Sequence, residues 1–346
     1  MSTTVSTPQT ALQPDLDSAQ QQPHEVIWSL TNAWVPSRCL QLIAALGVAD
    51  QIGEEPVSTE ELAARLHVHA EALDRTLSLL ASHGIFARGS RGYTHTATSQ
   101  LLRRDHPSSM WGFPTMNGLP FALIAYTNLE HSLRTSTPAI ETVEPGGLWA
   151  YLQDRPDEAQ IFAQAMEGKA VGDIAAVRAS YDFSSYETIA DIGGGRGHLL
   201  RAVLEDTPSS RGILFDLPDV IHSLDIQDDR LSLQAGDFFA DPLPAADAYV
   251  LMEILHDWDN ADCLRILSAI RRAAAPGAKL IVIEDGIAVR GQDAGGHNLD
   301  VIMLAVTGGR ERTTAEFDDL FAPTGFTSGT VIEMAGRVRI MEATAV

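Results

Sequence analysis

Tyr186-Glu-Thr-Ile-Ala-Asp-Ile-Gly-Gly-Gly-Arg-Gly-His198 is a short apolar run that ends in an acid and then turns through glycines. Residues 188–192 are β-branched or apolar, as suits a strand buried on both faces of a parallel sheet, with Asp191 near its carboxyl end. Gly193, Gly194, Gly195 and Gly197 remove Cβ atoms where the chain must turn sharply and where a ligand can approach the backbone. From 198 to 205 the pattern becomes helical, so the turn presents free N–H groups at a helix N-terminus and suits an anion. The spacing is not that of a dinucleotide site, which needs glycines at the first, third and sixth places; counted from Gly193, the sixth is His198.

Downstream of the turn, strand patterns at 212–215, 231–234, 248–252 and 279–284 alternate with helical patterns at 220–224 and 260–275. Such alternation predicts an α/β fold, a Rossmann-like doubly wound parallel sheet with helices on both faces. A helix at 314–323 and strands at 327–334 and 338–343 add an antiparallel edge pair.

Upstream, apolar residues recur at helical spacing over 25–49, and Gly47 closes that segment. Ser58 and Glu61 form a capping box that opens a helix at 59–66. A second helix at 70–83 ends at Gly84, and 85–88 with 93–95 flank a glycine-bounded turn as a hairpin. That order is a winged helix-turn-helix. A DNA-reading helix should be basic, yet this one carries Glu71 and Asp74 against Arg75. Its alternative use is a dimer interface, for which Trp28, Trp34, Leu40 and Ile43 supply an apolar surface. Residues 106–181 are apolar and helical, including a long helix at 157–181. The division expected is therefore a disordered tail at 1–23, a winged-helix unit suited to dimerisation at 24–105, a helical linker region at 106–181 and an α/β domain at 182–346.

Composition narrows the partners. The 346 residues are 45% hydrophobic and 20% charged, ordinary for a soluble globular protein. The apolar runs at 119–125 and 279–283 are far too short to span a membrane, so no membrane partner is expected. The first 23 residues have neither a basic start nor an apolar core, unlike a signal peptide. With 46 acidic against 24 basic side chains, the net charge of −22 repels nucleic acid. Cys39 and Cys263 sit in apolar helical patterns as small core residues, which fits a reducing cytoplasm.

Chemistry-bearing residues fall at the strand ends. Asp216, 21 residues after Gly195, is placed to accept from ribose hydroxyls. Asp237, in Gly236-Asp-Phe-Phe, can accept from an adenine amino group while Phe238 packs on the ring. His256 follows the fourth strand, Glu284 ends the fifth, and Glu311 lies in Gly308-Gly-Arg-Glu-Arg-Thr. An imidazole of ordinary pKa about 6.5, held by carboxylates, can take the proton of a phenol of pKa about 10 as the oxygen attacks.

Asp191-Ile-Gly-Gly-Gly-Arg-Gly, Phe215-Asp-Leu-Pro, Gly236-Asp-Phe-Phe, Leu255-His-Asp-Trp and Gly309-Arg-Glu-Arg-Thr together resemble the small-molecule O-methyltransferases. These are the plant caffeate and chalcone type and the bacterial type that tailors aromatic antibiotics. The resemblance implies S-adenosylmethionine as cofactor, S-adenosylhomocysteine as product, an aromatic acceptor, a homodimer and no metal. It implies His256 as general base with Glu284 and Glu311 as orienting acids, an acceptor pocket in 106–181 and a cofactor-binding catalytic domain in 182–346. The cofactor residues expected are Asp191, Gly193, Gly195, Asp216, Leu217, Asp237, Phe238, Met252 and Trp258; those for the acceptor are Met116, Asn117, Phe162, Met166 and Asp257. Met252 departs from the pattern, since many relatives carry a lysine there. The same scaffold could instead perform N- or C-methylation or a non-methylating rearrangement, and a winged-helix regulator is the reading from another class.

Overall fold

Residues 188–192 do form a strand near the middle of a seven-stranded sheet. The computed structural model describes residues 22–287, 294–334 and 338–346; all but the last two residues of the expected 1–23 tail lie outside them. Pro23 is not tail, because it is the first residue of α1 (Pro23–Asn32). The single helix expected over 25–49 is in fact α1 followed by α2 (Trp34–Ala45). Pro36 explains the break: it has no N–H for the Asn32 carbonyl, and its ring clashes with that carbonyl in a continuous helix.

The winged-helix order follows as α3 (Thr59–Leu66), α4 (Ala70–Ser82), β1 (Phe86–Gly89) and β2 (Gly92–His95), the two strands pairing antiparallel. Ser58 caps α3 by accepting from the Glu61 N–H. Leu62, Leu73, Leu77, Leu80, Phe86 and Tyr93 fill the core of this unit. Ile43 belongs to the same core at 2% exposure, which corrects its expected place on a partner-facing surface; Leu40 packs half-buried against that core. Trp28 and Trp34 remain 73% and 47% exposed.

Short helices α5 (Ala97–Gln100), α6 (Gly112–Asn117), α7 (Pro120–Thr127), α8 (Leu129–Thr135) and α9 (Gly147–Gln153) lead to the long α10 (Pro156–Ser180). The main sheet then alternates β3 (Thr188–Ile192), α11 (His198–Asp206), β4 (Arg211–Asp216), α12 (Pro218–His222), β5 (Leu231–Ala235), β6 (Ala248–Met252), α13 (Asn260–Ala273) and β7 (Lys279–Asp285). After it come α14 (Ala294–Val306), α15 (Thr314–Phe321), β8 (Phe326–Glu333) and β9 (Val338–Ala345).

Strand order is β5-β4-β3-β6-β7-β9-β8, parallel except that β9 runs antiparallel to β7 and β8, as the sequence led us to expect. Strands β3, β4, β6 and β7 are apolar on both sides because helices cover both faces, and Ile189, Ala190, Tyr249, Leu251, Ile281 and Val282 are fully buried. The carboxyl ends of β3 to β7 open on one edge, where ligands bind in such sheets. Over that edge lie α7, α9 and α14, sharing a core of Phe121, Tyr151, Leu152, Ala305 and Val306. Among the described residues no helix is long and apolar enough to cross a membrane.

Candidate active site

The glycine turn is shaped by backbone geometry. Gly193, Gly195 and Gly197 have φ of 73°, 58° and 73°, in the left-handed region where a Cβ is strained. Gly194 is required by contact instead, since a Cβ there would lie 2.4 Å from the Asp191 carboxyl group. That carboxyl is buried against the turn with Oδ2 unpartnered. Burial, then the nearby charge of Asp216, pushes its pKa up to about 7. Asp216 accepts from the Gly195 N–H through Oδ2 and from the Leu217 N–H through Oδ1, both at 2.7 Å. Burial raises its pKa, and those two amides oppose the shift. Leu217 itself is 43% exposed beside it. An unpartnered buried carboxylate oxygen, amides at a helix N-terminus and an acid at the adjoining strand end fit a cationic, hydroxylated nucleoside cofactor.

Farther along the sheet edge, Asp237 folds onto its own loop, accepting from the Phe239 N–H at 2.8 Å. Phe238 meets Phe239 and Trp258 edge-on, with centroids 4.7 and 5.8 Å apart. Trp258 stacks at 6.4 Å on Trp149, which meets Phe162 edge-on at 5.9 Å. An aromatic band thus joins the loop expected to hold the cofactor to the helices expected to hold the acceptor.

His256 lies in the turn that follows β6, next to the glycine loop: a Cβ on Gly193 would come within 2.7 Å of the Ile254 side chain. The imidazole is buried, and its Nδ1 is 2.8 Å from Glu311 Oε1. Glu284 Oε2 is 3.7 Å from the same nitrogen, while Glu284 Oε1 accepts from the Ile254 and Leu255 N–H groups. Asp257 Oδ1 is 3.8 Å from Nε2, beyond hydrogen-bond reach. The second oxygens of Glu284 and Glu311 are buried without a partner. Burial disfavours the imidazolium, but Glu284, Asp257 and Glu311 outweigh it and push the His256 pKa up to about 10. Burial first, offset by the His256 charge, takes Glu284 up to about 7 and Asp257 up to about 6. The surrounding carboxylates thus favour the protonated imidazole.

The expected trio is therefore assembled in one place. Glu311 reaches it because Gly309 has no side chain: a Cβ there would sit 1.9 Å from the His256 carbonyl oxygen. The Arg310 N–H donates to that carbonyl at 2.9 Å, and the Glu311 N–H to Asp300 of α14 at 2.9 Å.

Phe162 and Met166 share one face of α10 with Lys169, whose ammonium pairs with Glu253 just before the His256 turn. That face consequently looks toward the turn. Met116 is buried in the same cluster of α6, α7 and α9 that Phe162 and Met166 flank. The Asn117 carboxamide is occupied within its own region, donating to the Phe113 carbonyl and accepting from Tyr126 Oη at 3.0 Å. Met252, half-buried, ends β6 within the apolar layer under α11. Lys169 stands beside the next residue, Glu253. Burial opposes its charge, but Glu253, then Asp285 and Asp173, keep its pKa above the usual lysine value.

Two features beside the His256 turn escape sequence reasoning. Lys169 is legible only as a third residue on the Phe162 face, at i+7. Arg312, read from the sequence merely as part of a motif, is 1% exposed and bonded into the His256 turn.

A family model described as the O-methyltransferase domain matches residues 126–327. The chain belongs to that family. The model of the O-methyltransferase dimerisation domain matches 28–105, the winged-helix unit. This O-methyltransferase is 35% identical over 321 residues to the phenazine O-methyltransferase of Lysobacter antibioticus, covering 91% of this chain and 94% of the relative. It is 37% identical over 302 residues to the 8-amino-8-demethylriboflavin N,N-dimethyltransferase of Streptomyces davaonensis, covering 83% and 85%. The solved O-methyltransferase of neocarzinostatin biosynthesis, in complex with S-adenosylmethionine and 2-hydroxy-5-methyl naphthoic acid, superimposes with a TM-score of 0.77. It is 29% identical, and the match covers 97% of this chain and all of that one. The protein is thus an S-adenosylmethionine-dependent O-methyltransferase with a mostly parallel sheet and an N-terminal dimerisation domain.

Proposed function

We propose that this O-methyltransferase methylates a phenolic hydroxyl of an aromatic secondary metabolite, with His256 as general base. The observation that carries the reading is the buried Nδ1–Glu311 contact at 2.8 Å. With Nδ1–H donated to Glu311, Nε2 is the nitrogen left to take a proton. Glu284 adds charge behind the ring, and its unpartnered Oε2 is available to share that support. Bound S-adenosylmethionine supplies the electrophilic methyl on a sulfonium whose charge also opposes an imidazolium nearby. The protein otherwise aligns oxygen with methyl and keeps water out, tasks for which the aromatic band and the α10 face are suited.

In this reading Asp191, Gly193, Gly195, Asp216, Leu217, Asp237, Phe238, Met252 and Trp258 border the cofactor. Met116, Asn117, Phe162, Met166 and Asp257 border the acceptor. Residues 24–105 pair two protomers, 106–181 close the acceptor side, and 182–346 carry cofactor and base. The aromatic acceptor accords with the naphthoic acid named in the neocarzinostatin structure.

The decisive experiment incubates the enzyme with methyl-labelled cofactor and a library of phenols and aryl amines, read by mass spectrometry. Label on a phenolic oxygen is the expected result. Label on nitrogen alone would move the assignment to N-methylation, which the riboflavin relative keeps as the second reading.

A further inference from the structure

We infer that Arg312 is a positioning residue for catalysis, one that sets the aim of His256 by gripping the main chain on both sides of it. Its guanidinium Nη1 donates to the Leu255 carbonyl at 2.8 Å, and Nη2 to the Trp258 carbonyl at 2.7 Å. Nε and Nη2 also donate to Asn260 Oδ1, at 3.1 and 2.9 Å, where α13 begins. Nη1 reaches the Arg310 carbonyl at 3.3 Å as well, so the same group ties the turn to the loop that carries Glu311. The His256 carbonyl between those anchors is held by the Arg310 N–H. Neighbouring residues thus divide the work: Glu311 fixes the ring, and Arg312 fixes the backbone that bears it.

Burying a cation is costly unless its donors are satisfied, and a core built for stability alone would use an apolar side chain here. Arginine is needed because its planar fork reaches separate carbonyls in fixed directions, which a single ammonium cannot do. Holding the turn matters because a base misplaced by about 1 Å loses on the order of 10²-fold in rate.

The inference rests on His256 being the base, and its test separates the two. Turnover is measured on whichever library phenol is converted, with 3-amino-4-hydroxybenzoate, a phenol that the name of a relative 34% identical to this chain gives as its substrate, as the first probe. His256 Nδ1–H is followed as a downfield proton resonance, assigned by its loss in His256→Ala. Arg312→Lys should keep cofactor affinity within about twofold, lose about 10- to 100-fold in turnover, and shift or broaden that resonance. In the His256→Ala background the same change should cost less than about twofold, because the grip acts through the imidazole. If His256→Ala itself retains turnover, the general-base reading fails. If His256→Ala is impaired while folded Arg312→Lys keeps either its turnover or its resonance, the positioning role fails.

Should Arg312→Lys not fold, Asn260 decides. This residue is exposed, so Asn260→Ala should fold, and it removes one acceptor of the fork. It is expected to lower turnover several-fold with an unchanged melting temperature, and Asn260→Asp, which keeps the acceptor, to restore it. Equal turnover in both variants and the wild type would overturn the assignment.

Discussion

His256 is held by carboxylates that make it a stronger base than a free imidazole while keeping it charged in the absence of ligand. As the proposed general base, His256 must lose its proton before it acts, so turnover should rise with pH through the pKa that it has in the ternary complex. His256→Ala is expected to lose that ascending limb and about 10² to 10⁴ in turnover, with cofactor affinity unchanged by calorimetry. Glu311→Gln should lose less, since the imidazole stays while its charge support goes. The charge argument has its own check. Free His256 keeps its proton up to a pKa of about 10. A neighbouring positive charge lowers that value, so binding S-adenosylmethionine near pH 8 should release protons. The demethylated product, uncharged at sulfur, should release fewer. Calorimetry in buffers of different ionisation enthalpy reads the difference, and equal release by both ligands would count against a sulfonium beside His256.

At the scale of elements, the site depends on a loop passing against a turn. The 308–312 segment runs so close to His256 that only glycine fits at 309. Gly309→Ala should push the loop away, costing about 1–3 kcal/mol of stability. Turnover should fall far more than cofactor binding, because the glycine turn after β3 is untouched. A variant that melts and turns over like the wild type would refute a tight contact at 309. The helix break at Ala33 is of the same kind, a local steric demand of Pro36.

For the whole molecule, the exposed Trp28 and Trp34 lie within the matched dimerisation domain, and an apolar surface of that kind marks an interface. We expect a homodimer by light scattering at low micromolar concentration, and dissociation toward 37.3 kDa in Trp28→Glu/Trp34→Glu. A wild-type chain already at 37.3 kDa would refute it. Ile43→Glu should behave differently, unfolding the winged-helix unit, because that side chain is 2% exposed within its own protomer.

Sequence alone determined the parts whose physics is local. An apolar run into consecutive glycines can be little other than a strand turning into a helix, and alternating strand and helix patterns permit few sheet topologies. Asp216, His256, Glu284 and Glu311 could be singled out because they recur at successive strand ends and in one glycine-bounded loop; a single polar residue in such a place is ordinary. Tertiary structure decided what distance in the chain conceals. Whether Ile43 faces the core or a partner depends on which residues of α3, α4 and β1 pack against α2. Lys169 reaches Glu253, beside the His256 turn, across 84 residues. Arg312 joins the His256 turn across 57 residues to the Leu255 carbonyl, and a backbone acceptor leaves no mark on the sequence that a side chain could be matched against.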